Sequence, residues 1–122
     1  MTCEILIVDD SPLMLTMLKD ILAPTGHTVT AVESGVEACK QIETKHFDLL
    51  ITDLNMPGID GIELVRRARQ RPEYQAVPII IMTGENDQKR INEAMNLGIS
   101  TFLEKPFKGS QLKMMLQLIL GA

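Results

Sequence analysis

The most regular signal along the chain is a set of short, nearly unbroken apolar runs, each giving way abruptly to polar residues: Ile5 to Val8 before Asp9-Asp10, Leu49 to Ile51 before Thr52-Asp53, and Ile79 to Met82 before Thr83-Gly84. A strand with one wet face alternates apolar and polar residues, whereas a strand covered on both faces stays apolar throughout. These runs therefore predict interior strands of a parallel sheet sandwiched by helices. Thr28 to Val32 and Thr101 to Leu103 are weaker runs that suit sheet edges.

Between the runs the apolar spacing turns helical. Ser11 is placed to cap a helix that starts at Pro12, carries Leu13, Met14, Met17, Leu18, Ile21 and Leu22 on its apolar face, and gives way at Gly26. Val36, Cys39 and Ile42 line a second helix; Ile62, Val65 and Ala68 a third, entered after Gly58 and Gly61; Ile91, Ala94 and Met95 a fourth, stopped by Gly98; Leu112, Met115, Leu116, Ile119 and Leu120 a fifth. Strand then helix, five times over, folds under right-handed crossovers into a three-layer, doubly wound α/β sheet. No linker or internal repeat interrupts it, so residues 1–122 are expected to form one domain.

Composition narrows the function classes. Aromatics make up 3% of the chain and Trp is absent, which leaves an aliphatic, Met-filled core and no stacking platform for single-stranded nucleic acid. The net charge of −4 has the wrong sign for a phosphate backbone, so no direct nucleic-acid partner is expected. No apolar run approaches the roughly 18 residues of a membrane span, and Met1-Thr2-Cys3-Glu4 lacks the basic start of a secretory signal. No membrane partner and a cytoplasmic location follow as expectations. Cys3 and Cys39 have no CxxC spacing and read as reduced, half-buried packing residues; His27 and His46, unpaired, do not suggest zinc.

Ligands of open parallel sheets bind beyond the carboxyl ends of the strands, which directs attention to Asp9, Asp10, Asp53, Thr83 and Lys105. Taken singly, each has an ordinary explanation: an acidic pair starting a helix, a capping threonine, a solvated lysine. Their joint placement on one edge, from segments scattered along the sequence, is what singles them out. Clustered carboxylates raise one another's pKa unless a cation neutralises them, and oxygen ligands without His or Cys favour Mg²⁺. A carboxylate can itself attack phosphorus, with metal, ammonium and hydroxyl groups neutralising the phosphoryl oxygens. Asp53, which ends an interior strand before the loop Asn55-Met56-Pro57-Gly58, is the candidate nucleophile, with Asp9 and Asp10 holding the metal.

Four blocks then carry a resemblance: Ile5-Leu6-Ile7-Val8-Asp9-Asp10-Ser11, Asp48 through Gly58 with Asp60-Gly61 following, Pro78-Ile79-Ile80-Ile81-Met82-Thr83-Gly84, and Phe102-Leu103-Glu104-Lys105-Pro106-Phe107. Together they make the chain resemble, over its whole length, the receiver domains of two-component response regulators in their single-domain, chemotaxis form. The resemblance implies a flavodoxin-like sheet of order 2-1-3-4-5; a chemotaxis receiver is itself a standard example of that order, which is therefore taken from the family and not from the residues. It also implies that Asp53 accepts a phosphoryl group from a histidine kinase's phosphohistidine. Mg²⁺ would be held by the Asp10 and Asp53 side chains and the Asn55 backbone carbonyl, with Asp9 acting through a water on the metal. Lys105 and Thr83 would meet the phosphoryl oxygens, and the Lys105-Pro106 bond would be cis.

In the family, movement of the residue at Thr83 is coupled to an aromatic ring at Phe102 and so to the surface of the fourth helix, fifth strand and fifth helix, where a downstream target docks. Phe102 has no hydroxyl, so rotamer exchange there must work by packing alone, and simple core filling is an equal alternative. Asn55 and Glu85 flank the site and are placed to tune water access to an acyl phosphate. The fifth helix is more apolar than one buried stripe requires, which makes Met114, Met115 and Leu118 an expected interface with a partner protein or, as a weak homodimer, a second copy. With the chain ending at Gly121-Ala122, output is expected through protein binding. An alternative enzyme reading, a haloacid-dehalogenase-type phosphatase, calls for Asp-x-Asp after the first strand where this chain has Asp9-Asp10-Ser11-Pro12. A receiver-like interaction module that is never phosphorylated has no use for the intact acidic set with Thr83 and Lys105.

Overall fold

The computed structural model describes residues 2–84 and 88–121; Glu85, given a role above, lies outside them. In chain order the elements are β1 (Glu4–Val8), α1 (Pro12–Leu22), β2 (Thr28–Val32), α2 (Gly35–Thr44), β3 (Leu49–Asp53), α3 (Gly61–Arg69), β4 (Ile79–Thr83), α4 (Gln88–Asn96), β5 (Thr101–Glu104) and α5 (Gly109–Leu120). The strands are parallel and ordered β2-β1-β3-β4-β5, the doubly wound, flavodoxin-like arrangement expected, with the two weak runs at the edges.

Strand pleat divides the core into two. Ile5, Ile7, Leu49, Ile51, Ile80 and Met82 point into one layer with Leu15, Leu18 and Leu22 of α1 and Leu112 and Leu116 of α5. Leu6, Val8, Leu50, Ile79 and Ile81, their alternates, point into the other with α2, α3 and Ala94 of α4. That two-sided burial is why the strand sequences show no polar alternation. Truncating a fully buried Ile or Leu here costs about 2–5 kcal/mol.

Helix starts follow local chemistry. The Ser11 hydroxyl accepts the Met14 N–H at 3.3 Å and Pro12 opens α1; Asp60 does the same for α3 through Glu63, at 2.9 Å. Helix faces differ from the expected ones in detail. Leu13, Met17, Val36 and Met95 are exposed, and the buried positions are instead Leu15 in α1 and Ala38 in α2. In α1 the cause is an excess of apolar residues over the single stripe a helix can bury, so the pattern alone does not choose the buried face. Two short 3₁₀ turns, Ala23–Thr25 and Pro72–Tyr74, have no counterpart in the apolar pattern.

Candidate functional site

Register brings the acidic residues together. Val8 pairs with Thr52, so the next residues along each strand, Asp9 and Asp53, come level at the carboxyl edge. Thr83 pairs with Glu104, and the Thr83 carbonyl accepts the Lys105 N–H at 2.8 Å, which carries the lysine to the same edge. The Lys105-Pro106 peptide is cis, as the resemblance implied. The loop after β3 turns closely back on it: a Cβ on Gly61 would lie 2.3 Å from the Asp53 carbonyl oxygen, so only glycine fits there.

Asp9, Asp10 and Asp53 each offer a carboxylate oxygen within 4.8 Å of the others. Asp9 is 1% and Asp53 8% exposed, whereas Asp10 stands open at the mouth. Lys105 Nζ lies 3.0 Å from Asp9 Oδ2 and 3.4 Å from Asp53 Oδ1, bridging the two buried carboxylates. The other Asp9 oxygen accepts the Ser11 N–H at 2.9 Å, fixing that carboxylate in place. Burial pushes the Asp53 carboxyl above the usual aspartate range, and Asp9 adds to the push; Lys105 and the Asn55 N–H oppose it without cancelling it.

One lysine among three carboxylates leaves two negative charges in excess, which is the charge of one divalent cation. The donor set is all oxygen and holds no His or Cys, which suits a hard ion. The residues present therefore fit a divalent metal. Buried Thr83 ends β4 on the same edge. Asn55, the remaining expected ligand, follows Leu54, whose N–H is held by the Met82 carbonyl at 2.9 Å.

Sequence reasoning missed Arg90. From α4 its guanidinium reaches Asn55 Oδ1, and it donates to Asp60 Oδ2 at 2.9 Å. Nothing in the spacing of α4 signals a fold-back onto the β3–α3 loop. A groove of about 450 Å³ between α2 and α3, lined by Cys39, Arg67 and Arg71 among others, shares no residue with the carboxylate cluster. Burial pushes the Cys39 thiol up, away from reactivity.

The family described as the response regulator receiver domain matches residues 5–117. The chain belongs to that family. This receiver domain is 39% identical over 121 residues to a chemotaxis protein CheY homolog of Campylobacter jejuni, covering 97% of this chain and 92% of the relative. It overlays the Vibrio cholerae chemotaxis protein CheY4 with a TM-score of 0.91 at 31% identity, covering 98% and 99% of the two chains. It also resembles the receiver domain of a Pseudomonas aeruginosa sensor histidine kinase whose structure has a magnesium ion coordinated in the active site cleft, with a TM-score of 0.90, 31% identity and full coverage of both chains. Receiver domains bind a divalent metal in their acidic pocket and act in phosphorylation-driven two-component signalling, with histidine kinases and downstream targets as partners. Among the described residues of this one, no helix is long and apolar enough to cross a membrane.

Proposed function

We propose that residues 1–122 form one receiver domain that switches between two states when Asp53 is phosphorylated by a histidine kinase in a Mg²⁺-dependent reaction. The observation that carries this reading is the meeting of Asp9, Asp10 and Asp53 oxygens within 4.8 Å, with Lys105 Nζ 3.4 Å from Asp53. An Asp53 carboxylate oxygen attacks the phosphorus of the phosphohistidine; the P–N bond breaks, the imidazole leaves with its electron pair and takes up a proton, and an acyl phosphate remains. Lys105 neutralises charge on the phosphoryl oxygens, and the Thr83 hydroxyl donates to one of them. Asp10, Asp53 and the Asn55 carbonyl would hold Mg²⁺, with Asp9 in support. When bound, Mg²⁺ supplies positive charge to the carboxylates and to the phosphoryl group.

Phosphorylation adds about −1.5 to −2 charges to an edge already crowded with them, and the new acceptor oxygens draw Thr83 toward the site. Phe102, half-buried against the core on the α3–α4 side, is placed to answer that movement by repacking. The response is read on the face of α4, β5 and α5, where Met114 is 63% and Leu118 80% exposed. These two, with Thr101, Ser110, Gln111 and the more buried Met115, line a groove of about 410 Å³ suited to a protein partner. Location in the cytoplasm, beside a kinase, belongs to the same reading.

Intact mass after incubation with acetyl phosphate and Mg²⁺ tests it. Wild type is expected to gain roughly 80 Da, one phosphoryl group, and Asp53→Asn and chelated samples to gain nothing. Equal labelling of Asp53→Asn would refute the assignment. Multiple turnover on free phosphomonoesters would favour the phosphatase reading.

A further inference from the structure

Arg90, in the first turn of α4, lies across the loop that leaves the acceptor aspartate. Its Nη1 donates to Asn55 Oδ1, and its Nη2 to Asp60 Oδ2 at 2.9 Å and to the Leu54 carbonyl at 3.4 Å. The Leu54 carbonyl also accepts the Gly61 N–H at 3.0 Å, closing the base of the loop. Asp60 shares its carboxylate between two tasks: Oδ1 caps α3 through the Glu63 N–H, and Oδ2 meets Arg90. One guanidinium thus ties together both ends of the segment from Leu54 to Asp60 and the side chain of Asn55.

The pairing differs from its neighbours on the same seam. Arg66 and Glu93 also join α3 to α4, at 3.5 Å, but both are well exposed and neither touches the loop. Such a surface pair contributes little. Arg90 is 24% exposed and uses both arms of its fork, a geometry that lysine's single ammonium cannot copy.

We infer that Arg90 is a positioning residue: it sets the Asn55 peptide and side chain against the carboxylate cluster and couples that cluster to α4. This deepens the proposed function and rests on its assignment of Asn55 and Asp53. If Arg90 holds the loop in the form that receives the cation, then by linkage the cation also steadies α4, and each event favours the other.

The test compares wild type, Arg90→Ala, Arg90→Lys and Glu93→Ala as full chains. Calorimetric Mg²⁺ titration is expected to show roughly tenfold weaker binding for Arg90→Ala, the lower end for removing a group that orients a metal ligand. Arg90→Lys, which keeps the charge and loses the fork, is expected between the two. Glu93→Ala is expected within about twofold of wild type, since an exposed pair is worth little. In the metal-free proteins, hydrogen exchange at the Gly61 amide is expected to quicken in Arg90→Ala and not in Glu93→Ala. Mg²⁺ is expected to slow exchange across α4 in wild type and not in Arg90→Ala. Wild-type Mg²⁺ affinity with unchanged Gly61 exchange in Arg90→Ala would overturn the inference, as would equal weakening by Glu93→Ala, which would make the effect one of seam stability. If Arg90→Ala does not fold, Arg90→Lys with wild-type affinity and exchange would overturn it. Failure of the phosphorylation reading is separately visible as a wild type that takes no phosphoryl group, while the exchange and Mg²⁺ readouts still judge Arg90.

Discussion

At the amino end of the strands, polar groups close on one another. The Tyr74 hydroxyl donates to the Lys45 carbonyl and accepts the Phe47 N–H at 3.0 Å, Asp48 accepts the Glu4 N–H at 2.8 Å, and Arg69 donates to the Val77, Leu97 and Gly98 carbonyls. At the carboxyl end, Asp9 and Asp53 are just as deeply placed, yet they share a single lysine and keep an uncompensated excess of negative charge. One end uses polarity to satisfy the backbone and stabilise the fold. The other holds charges in tension, and a site held in tension is one that a cation can relieve. Stability and chemistry are thereby assigned to opposite edges of the same sheet.

The sharpest way to break this contrast is at Asp53. Asp53→Asn is expected to abolish phosphoryl labelling by intact mass and, at neutral pH without metal, to raise the thermal midpoint by a few degrees, because it removes a carboxylate that burial disfavours. A lowered midpoint would mean that Lys105 outweighs burial after all. Lys105→Ala comes next: loss of a charge aimed at the phosphoryl oxygens is expected to slow labelling about 100-fold, read as initial rates with acetyl phosphate. At the opposite edge, Tyr74→Phe orphans the Phe47 N–H and the Lys45 carbonyl and is expected to cost about 1–3 kcal/mol in urea unfolding, with the labelling rate of the folded protein unchanged. Slower labelling there would show the two edges to be coupled.

The smallest effect is one of pH. Because the folded Asp53 carboxyl sits above the ordinary aspartate range, its contribution to stability is present in full below that range and is lost as pH rises through the raised value. Labelling runs the other way, since the carboxylate is the nucleophile. In a metal-free unfolding series, Asp53→Asn is expected to remove this part of the pH dependence. A wild-type profile that matches Asp53→Asn across the acidic range would contradict the raised pKa.

Most of the sheet is legible in the sequence because Ile5 to Val8, Leu49 to Ile51 and Ile79 to Met82 are short, continuously apolar and closed by polar residues, the pattern of two-sided strands, and each strand ends within two residues of its last apolar one. The acidic cluster follows from the same ends. Helix rotation is less legible: in α1, with apolar residues on most sides, the pattern does not choose Leu15 over Leu13 and Met17, and packing against β1, β3 and α5 decides it. Arg90 is not legible at all. Its partners Asn55 and Asp60 lie 35 and 30 positions away, and only packing of α4 beside α3 brings them together. The closure by Tyr74 depends on a turn after Pro72 whose sequence carries no hydrophobic period.

The central claim is that Asp53, and no other carboxylate of the cluster, captures phosphorus with the help of a divalent cation. Reducing the phosphorylated protein with borohydride converts an aspartyl phosphate to homoserine, and peptide mass spectrometry then locates it. The account predicts homoserine at position 53 alone, formed with acetyl phosphate and Mg²⁺ and absent when the metal is chelated. Homoserine at position 9 or 10, or equal conversion without metal, would contradict it.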